Sequence, residues 1–303
     1  MFKIISDGGC DFTKEEAKAF DVQVIPFYIT FDGETFLREG IDITKEEYFE
    51  KLINDKNLYP KTSQPNPNDY MELYRPHLEA GYDILSMTIS SKLSGSHNSA
   101  SIAIDNLSEE YPERTIKLID SKNASLGQGN ILKEVCKMRD AGLSLEKTVA
   151  VTEKIISTTR TYFTLDTLEY LKKGGRVGPT TALVGGILGL RPILQLENGE
   201  ISQLDSVRGK KKAMRTIEEG VIAVLKKAIQ DVNVAIAQIR NEEEAKLFKS
   251  NLEKGLNCTL ENPIGDIGAA IGTHAGPGVI AFTYCRKYET ILAAEELEAR
   301  KTA

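Results

Sequence analysis

Short apolar runs alternating with amphipathic helical stretches predict an α/β fold in two domains. Three observations carry that expectation. The first half repeats a strand–helix order, which favours a parallel sheet with helices on both faces. This gives a three-layer α/β/α domain over residues 1–155. The second half places Asn198-Gly199 between two apolar runs, a strong hairpin signal, so antiparallel and parallel pairing mix there. Residues 156–303 are therefore expected to form a two-layer α/β domain on a mixed sheet. The length agrees, since 303 residues is about twice a common domain size.

Phe2 to Ser6 reads as the first strand, stopped by the turn signal Asp7-Gly8-Gly9. Val22 to Phe31 reads as the second, with Pro26 marking an edge or a bend. Thr44 and Glu47 have capping-box spacing and open a helix through about Asn54. Lys61 to Pro67 reads as an irregular loop, and Asn68 to Glu79 as a helix. Asp83 to Ser90 is a buried strand, and Ser94 or Ser96 caps the helix that follows to about Leu107. A strand at Thr115–Asp120 and helices at Ser125–Arg139 and Ser144–Ser157 complete this half.

Beyond it, Arg160 to Leu165 reads as a strand and Thr167 to Lys173 as a short helix closed by Gly174-Gly175. Seven of the 24 glycines lie between Gly174 and Gly199, a density that marks turns and close backbone approaches. Ile193–Leu196 and Glu200–Val207 form the hairpin strands. Helices are expected at Lys210–Ala228 and Glu242–Lys254, with a buried strand at Val232–Ile239 between them. The last strands fall near Thr259 and over Gly278–Tyr284.

Composition narrows the function. With 41% hydrophobic and 27% charged residues the chain can build a sizeable core. A net charge of −6 leaves no basic excess for phosphate backbones, which argues against nucleic acid as the partner. The longest apolar run is five residues, Val221 to Leu225; allowing Gly it reaches nine, Ala182 to Leu190. Both fall short of the roughly 20 that span a membrane. The N-terminus reads as a strand rather than a signal peptide, so a cytoplasmic protein is expected. Cys10, Cys136, Cys258 and Cys285 are dispersed and read as buried free thiols. His77, His97 and His274 are too scattered to suggest a metal, and no metal or other cofactor is expected. No phosphate-cradling G-x-x-x-x-G-K-[ST] loop and no G-x-S-x-G nucleophile elbow occurs. Gly127-Gln128-Gly129 begins like a dinucleotide fingerprint, but Leu132 stands where the third glycine belongs.

What remains is a set of hydroxyl-rich loops at strand ends. Ser90-Ser91-Lys92-Leu93-Ser94-Gly95-Ser96 leaves a buried strand and enters a helix, where hydroxyls and free N–H groups favour an anion. Helix capping explains these serines as well as anion binding does. Thr62-Ser63 precedes the preceding helix, and in a doubly wound sheet both loops can reach the carboxyl edge, where ligands bind. Phe27, Tyr28 and Ile29 nearby read as core or as pocket wall. Lys172-Lys173-Gly174-Gly175-Arg176-Val177-Gly178 and Arg208-Gly209-Lys210-Lys211-Lys212 make a local basic patch. It reads as solvated surface or as a phosphate or partner contact.

In order along the chain, these segments resemble the DegV family. The motifs are Ser6-Asp7 with Asp11, Thr62-Ser63-Gln64-Pro65, Ser90 to Gly95, Asp120-Ser121 with Gly127-Gln128-Gly129, Leu168 to Gly178, Pro192-Ile193-Leu194, Arg208-Gly209, and Gly272-Thr273-His274-Ala275-Gly276-Pro277-Gly278. The resemblance implies a protein that binds one long-chain fatty acid, such as palmitate or a C18 acid, between its two domains. It further implies a non-catalytic, acyl-carrying subunit of a bacterial fatty acid kinase, feeding phospholipid metabolism. A separate ATP-binding subunit would phosphorylate the carboxylate, with transient membrane contact a further partner. By this resemblance Thr62 and Ser94 hold the carboxylate, and His274, Ser63 and Ser96 lie near the head group. Arg176 and Arg208 serve phosphoryl transfer or partner contact.

The sequence departs from the family pattern at Gly8, His97, Asn98, Gln238 and Arg191. At about 0.8 kcal/mol per buried methylene, a long tail offers on the order of ten kcal/mol, which favours a tunnel over a surface groove. The competing expectation is a stand-alone hydrolase or phosphotransferase that uses Ser94 and His274.

Overall fold

The computed structural model describes residues 2–55, 58–176 and 190–302. The Val177-Gly178 end of the basic motif and the apolar stretch 182–189 lie outside the described residues.

The first half contains β1 (Phe2–Asp7), α1 (Lys14–Ala19), β2 (Val22–Ile25), β3 (Tyr28–Thr30), β4 (Leu37–Arg38), α2 (Lys45–Asn54), β5 (Lys61–Ser63), α3 (Pro67–Glu79), β6 (Asp83–Thr88), α4 (Ser96–Glu110), β7 (Ile116–Asp120), α5 (Leu126–Asp140) and α6 (Leu145–Thr158). Strands β2-β1-β6-β7 form a parallel sheet in that order. Alternation along each strand sends side chains to two separate layers. Ile4, Leu85 and Ile119 pack under α5 and α6, while Ile5 and Ile84 pack on Tyr70 and Tyr74 of α3 and Ala103 of α4. Helices on both faces make the three-layer arrangement.

The second half contains β8 (Arg160–Thr164), α7 (Glu169–Gly174), β9 (Leu190–Glu197), β10 (Glu200–Arg208), α8 (Lys210–Leu225), β11 (Val232–Gln238), α9 (Glu242–Leu256), β12 (Ile264–Asp266), α10 (Ala269–Ala275), β13 (Ile280–Arg286) and α11 (Tyr288–Thr302). The sheet order is β10-β9-β8-β13-β11-β12, antiparallel except for β11–β12. Helices α8 and α9 cover one face through Met214, Ile217, Phe248 and Leu252. The opposite face turns toward the first sheet, and α5 lies between the two. The hairpin forms as expected, with φ 51° at Asn198 and 86° at Gly199, the left-handed pair that a tight two-residue turn requires.

Four expectations are corrected. The strand expected over Val22–Phe31 is two strands in different sheets: Pro26 has no N–H to give a ladder, and β3 instead joins β4 and β5 in a three-stranded sheet. The loop expected over Lys61–Pro67 begins as β5, with Thr62 opposite Ile29. The strand expected near Thr259 lies at Ile264–Asp266. Neither Ser94 nor Ser96 caps α4 in the usual way. Gly95 is the cap residue, without a side-chain bond, while the Ser94 hydroxyl accepts the Ser96 N–H at 3.2 Å. The Thr44–Glu47 capping box is present, and Asn66–Asp69 forms another at the start of α3. Sequence reasoning did not anticipate α11, whose Ile291 packs into the core under the first sheet.

Candidate functional site

The carboxyl ends of β1 and β6 face the inner surface of the second sheet, and an apolar cavity lies between them. Its walls are apolar: Phe27, Ile89 and Leu93 from the first unit meet Phe163, Leu196 and Ile271 from the second. Phe27 and Ile89 are both nearly inaccessible to solvent, so the wall is also core. The open choice for Phe27 thus resolves to both roles.

Polar groups gather at one place. Thr62 comes from β5, Ser94 from the β6–α4 loop, His274 from the last turn of α10, and Arg176 from the residue after the α7 cap; all four line the cavity. Thr62 Oγ1 and His274 Nε2 are 2.8 Å apart. The imidazole is pressed against Gly174, where any β-carbon would collide with Nδ1. Gly175 closes α7 at φ 68°, so the two glycines have different jobs: one clears the ring, the other turns the chain.

Electrostatics at this end are one-sided. Burial, helped by the neighbouring Arg176 charge, pushes the His274 pKa down to about 4, so the ring is neutral near pH 7. Its Nδ1 is buried without a hydrogen-bond partner among the described residues. Arg176 is half-buried, and burial lowers its pKa as well. Its Nε donates to the Leu93 carbonyl at 3.1 Å and its Nη1 to the Gly174 carbonyl at 2.5 Å. Among the described residues no carboxylate pairs with it, and it carries the only formal charge on the cavity wall. A guanidinium keeps its proton at any ordinary pH, so the result is a partly desolvated cation beside two hydroxyls.

The loop carrying Ser94 is held from both sides. Leu93 N and Ser94 N both donate to the Ser90 carbonyl, and Ser90 N donates to Asn123. Ser90 Oγ donates 2.7 Å to the carbonyl of Gly199, so the hairpin turn of the second sheet docks on this loop. A β-carbon at 199 would sit 2.7 Å from Ser90 Oγ, which Gly alone avoids. Lys92 and Glu200 add an ion pair at 2.9 Å.

The remaining sequence-predicted residues lie elsewhere. Ser63 is partly exposed, its hydroxyl against the Gln64 carbonyl at 3.4 Å, and does not line the cavity. Ser96 is fully buried beneath the site, donating 2.6 Å to Asp7 Oδ2. Arg208 ends β10 on the exposed surface, away from the cavity wall, beside exposed Lys211 and Lys212. Ser94 and His274 make no hydrogen bond to each other; His274 faces Thr62, and among the described residues no carboxylate orients its other nitrogen. The dyad a hydrolase would use is absent among the described residues. Of the departures, Gly8 matters locally, since a β-carbon there would touch Phe27 at 3.4 Å. Gln238 bonds Asp266 and Asn241 at 2.5 Å each, and Arg191 pairs with Asp166 at 2.8 Å; neither lines the cavity. His97 meets Thr88 at 3.2 Å.

Two features were given no site role from the sequence, although Gln64 and Asp11 fall in the family motifs. Gln64 also lines the polar end. At the other end of α10, Glu39 accepts the N–H groups of Ala269 and Ala270, and Asp11 accepts the Ser125 hydroxyl at 2.5 Å. Burial, with mutual repulsion, raises Asp11 to about 8, and burial raises Glu39 to about 6. Residues far apart in sequence make this pair, so no local pattern announces it.

Known proteins resemble this chain along its length. The family profile described as "Uncharacterised protein, DegV family" matches residues 1–287. A DegV domain-containing protein of Caldanaerobacter subterraneus is 35% identical over 214 residues, covering 71% of this chain and 74% of that protein. The crystal structure of a stearic-acid-binding protein from Eubacterium ventriosum superposes with a TM-score of 0.91 at 32% identity, covering 96% of this chain and 100% of the other. A DegV-family structure from Ruminococcus gnavus, solved with vaccenic acid, superposes at 0.82 and 31% identity over 93% of this chain and 99% of its own.

Proposed function

This chain belongs to the DegV family, and on that footing we propose that it binds one long-chain fatty acid in the cavity between its two sheets. The observation that carries the reading is Arg176: a half-buried cation with no carboxylate partner among the described residues, at the polar end of an otherwise apolar cavity. A carboxylate head supplies the missing charge, and a long acyl tail fits the walls. Thr62 and Ser94 donate hydroxyl bonds to the head. His274, neutral, donates its Nε2–H to Thr62 Oγ1, which leaves the Thr62 hydroxyl hydrogen to point at the head. In the proposed arrangement residues 1–155 supply the hydroxyl loops and residues 156–303 close over the chain.

The finer reading makes the protein a non-catalytic subunit in the bacterial cytoplasm. It presents the bound carboxylate to an ATP-binding kinase subunit that forms the acyl phosphate. The absence of a phosphate-cradling loop from the sequence supports a division of labour in which the partner holds ATP. Arg208 and its lysines then serve partner contact, and Arg176 steadies charge at the head group.

Native mass spectrometry of the purified protein tests the binding: a co-purifying palmitate or C18 acid is expected. Apo protein that also fails to take up added palmitate overturns the reading. Isothermal titration with Mg-ATP tests the division of labour; a micromolar site on this chain alone overturns it.

A further inference from the structure

The loop that presents Ser94 has a buried anchor that the proposed function does not use. Asp7 ends β1 with no solvent exposure. Its two oxygens accept the Ile89 N–H at 3.1 and 3.0 Å, at the loop's first residues beyond β6. One of them also accepts the Ser96 hydroxyl at 2.6 Å, at the loop's far end. Ser96 N in turn bonds the Ser94 hydroxyl at 3.2 Å, which ties the anchor to the cavity-lining side chain. Below, Gln128 Nε2 reaches Asp7 at 3.0 Å and Ser6 at 3.0 Å, and Gly9 N donates to Asp7 at 3.1 Å.

The Gly127-Gln128-Gly129 motif, which fits no dinucleotide site, finds its use here. A β-carbon at 129 would lie 2.8 Å from the Cys10 carbonyl, and one at 127 would collide with Asn123. Both glycines let α5 approach closely enough for Gln128 to reach Asp7. Gly9 is under the same constraint, because its β-carbon would meet Ile89 at 2.7 Å and Gln128 at 2.9 Å. Three glycines and an amide are thus arranged around one carboxylate.

We propose that Asp7 is a positioning residue for head-group recognition, clamping both ends of the Ile89–Ser96 loop so that Ser94 is held facing the ligand's carboxylate. The inference rests on the fatty-acid reading above and adds to it a residue that touches no ligand. Ser96 belongs to this clamp rather than to the head-group shell. The clamp acts on the loop, not on the apolar walls, so its loss should weaken recognition of the acid and spare recognition of the tail.

The test compares palmitate with hexadecan-1-ol, which has the same tail and no charge, by displacement of a fluorescent fatty acid. Asp7→Asn should lose roughly tenfold or more in palmitate affinity, because amide hydrogens now face donors at Ile89 and Ser96. Its hexadecanol affinity should stay within about twofold. Ser96→Ala severs one end of the clamp and should show the same selectivity at smaller size, and it serves if Asp7→Asn does not fold. Tyr70→Phe removes the 2.6 Å partner of Ser96 without touching Asp7, and should leave the acid-to-alcohol ratio at the wild-type value. Parallel loss for both ligands would make Asp7 a purely structural residue and overturn the proposal, as would undiminished palmitate binding in Asp7→Asn and Ser96→Ala. Failure of the fatty-acid reading itself shows separately, as wild-type protein that binds neither ligand.

Discussion

Helix α10 is seven residues long, and its two ends lack opposite things. At its first turn two carboxylates, Asp11 and Glu39, are half-buried together; Lys45 lies near enough to favour their charge, but its ammonium is bonded to Asp266. At its last turn His274 and Arg176 stand at the cavity with no anion among the described residues. The first pair lies half-buried on the wall of an open cleft that Lys45 also lines, so protons or solvent cations can relieve it. The second lines the apolar cavity, where a ligand carboxylate can do so. Burial raises carboxylate pKa values in one place and lowers basic ones in the other. The same physical cost therefore produces a proton-sensitive joint at one end and an anion site at the other.

The largest effect is expected at the ligand end. Thr62→Ala with Ser94→Ala removes two hydroxyl donors to a charged group, each worth roughly 1.5–3 kcal/mol. Fatty acid affinity should fall by about 100-fold or more, with the fold intact by circular dichroism. Undiminished displacement of a fluorescent fatty acid would place the carboxylate elsewhere in the cavity.

At the joint, the comparison predicts a stability that depends on pH. Both carboxyls are raised above their unfolded values, so the folded state holds protons that the unfolded state gives up. That stability is present below about pH 4 and is lost as pH rises through about 6 for Glu39 and about 8 for Asp11. A loss on the order of 2–4 kcal/mol between mildly acid and mildly alkaline buffer is expected, read as a falling melting temperature. Asp11→Asn should flatten that curve and stabilise the protein at the alkaline end. Asn suits the site because residue 11 sits at φ 53°, a left-handed conformation that Asn tolerates. A wild-type melting temperature that is level across this window would show the pair to be relieved by something other than protons.

A smaller effect sharpens the contrast from the other side. With its pKa near 4, His274 should not titrate between pH 6 and 8, and palmitate affinity should be level there. Affinity that strengthens as pH falls through the ordinary histidine range of about 6.5 would mean the ring takes up a proton, making it a second cation beside Arg176.

How much of this could be read beforehand follows from where the determinants lie. Capping at Thr44, the Asn198-Gly199 turn and the alternation of the first sheet are local, and each was legible. Thr62, Ser94, Arg176 and His274 were named as site candidates and all line one cavity. Composition alone left the serine run open between capping and anion binding. Ser63, Ser96 and Arg208 show the limit. Ser63 and Ser96 have site residues within two positions, but one side chain faces outward and the other the core, and Arg208 ends an exposed strand away from the cavity. Pro26 gave a warning that was read as an edge or a bend rather than as a change of sheet. The Asp11–Glu39 pair and the Asp7 clamp depend on contacts spanning tens to hundreds of residues, which no periodicity encodes.

The smallest effect on this chain is expected at Arg208. It lies on the exposed end of β10 with Lys211 and Lys212 beside it, and it forms no part of the cavity wall. Surface substitutions of this kind usually stay within about 0.5 kcal/mol, so Arg208→Ala should leave the melting temperature nearly unchanged and fatty acid affinity within about twofold of wild type. If the basic surface docks the kinase subunit, acyl phosphate formation in a reconstituted assay should nevertheless fall, because a guanidinium grips a carboxylate or phosphate through two parallel bonds. Arg208→Lys should stay impaired for the same reason. Arg176→Ala, tested beside it, should lose binding and turnover together, since that cation faces the cavity. Wild-type turnover in Arg208→Ala would return the residue to ordinary solvated surface. Loss of binding along with turnover would instead extend the anion site beyond the four residues at the end of α10.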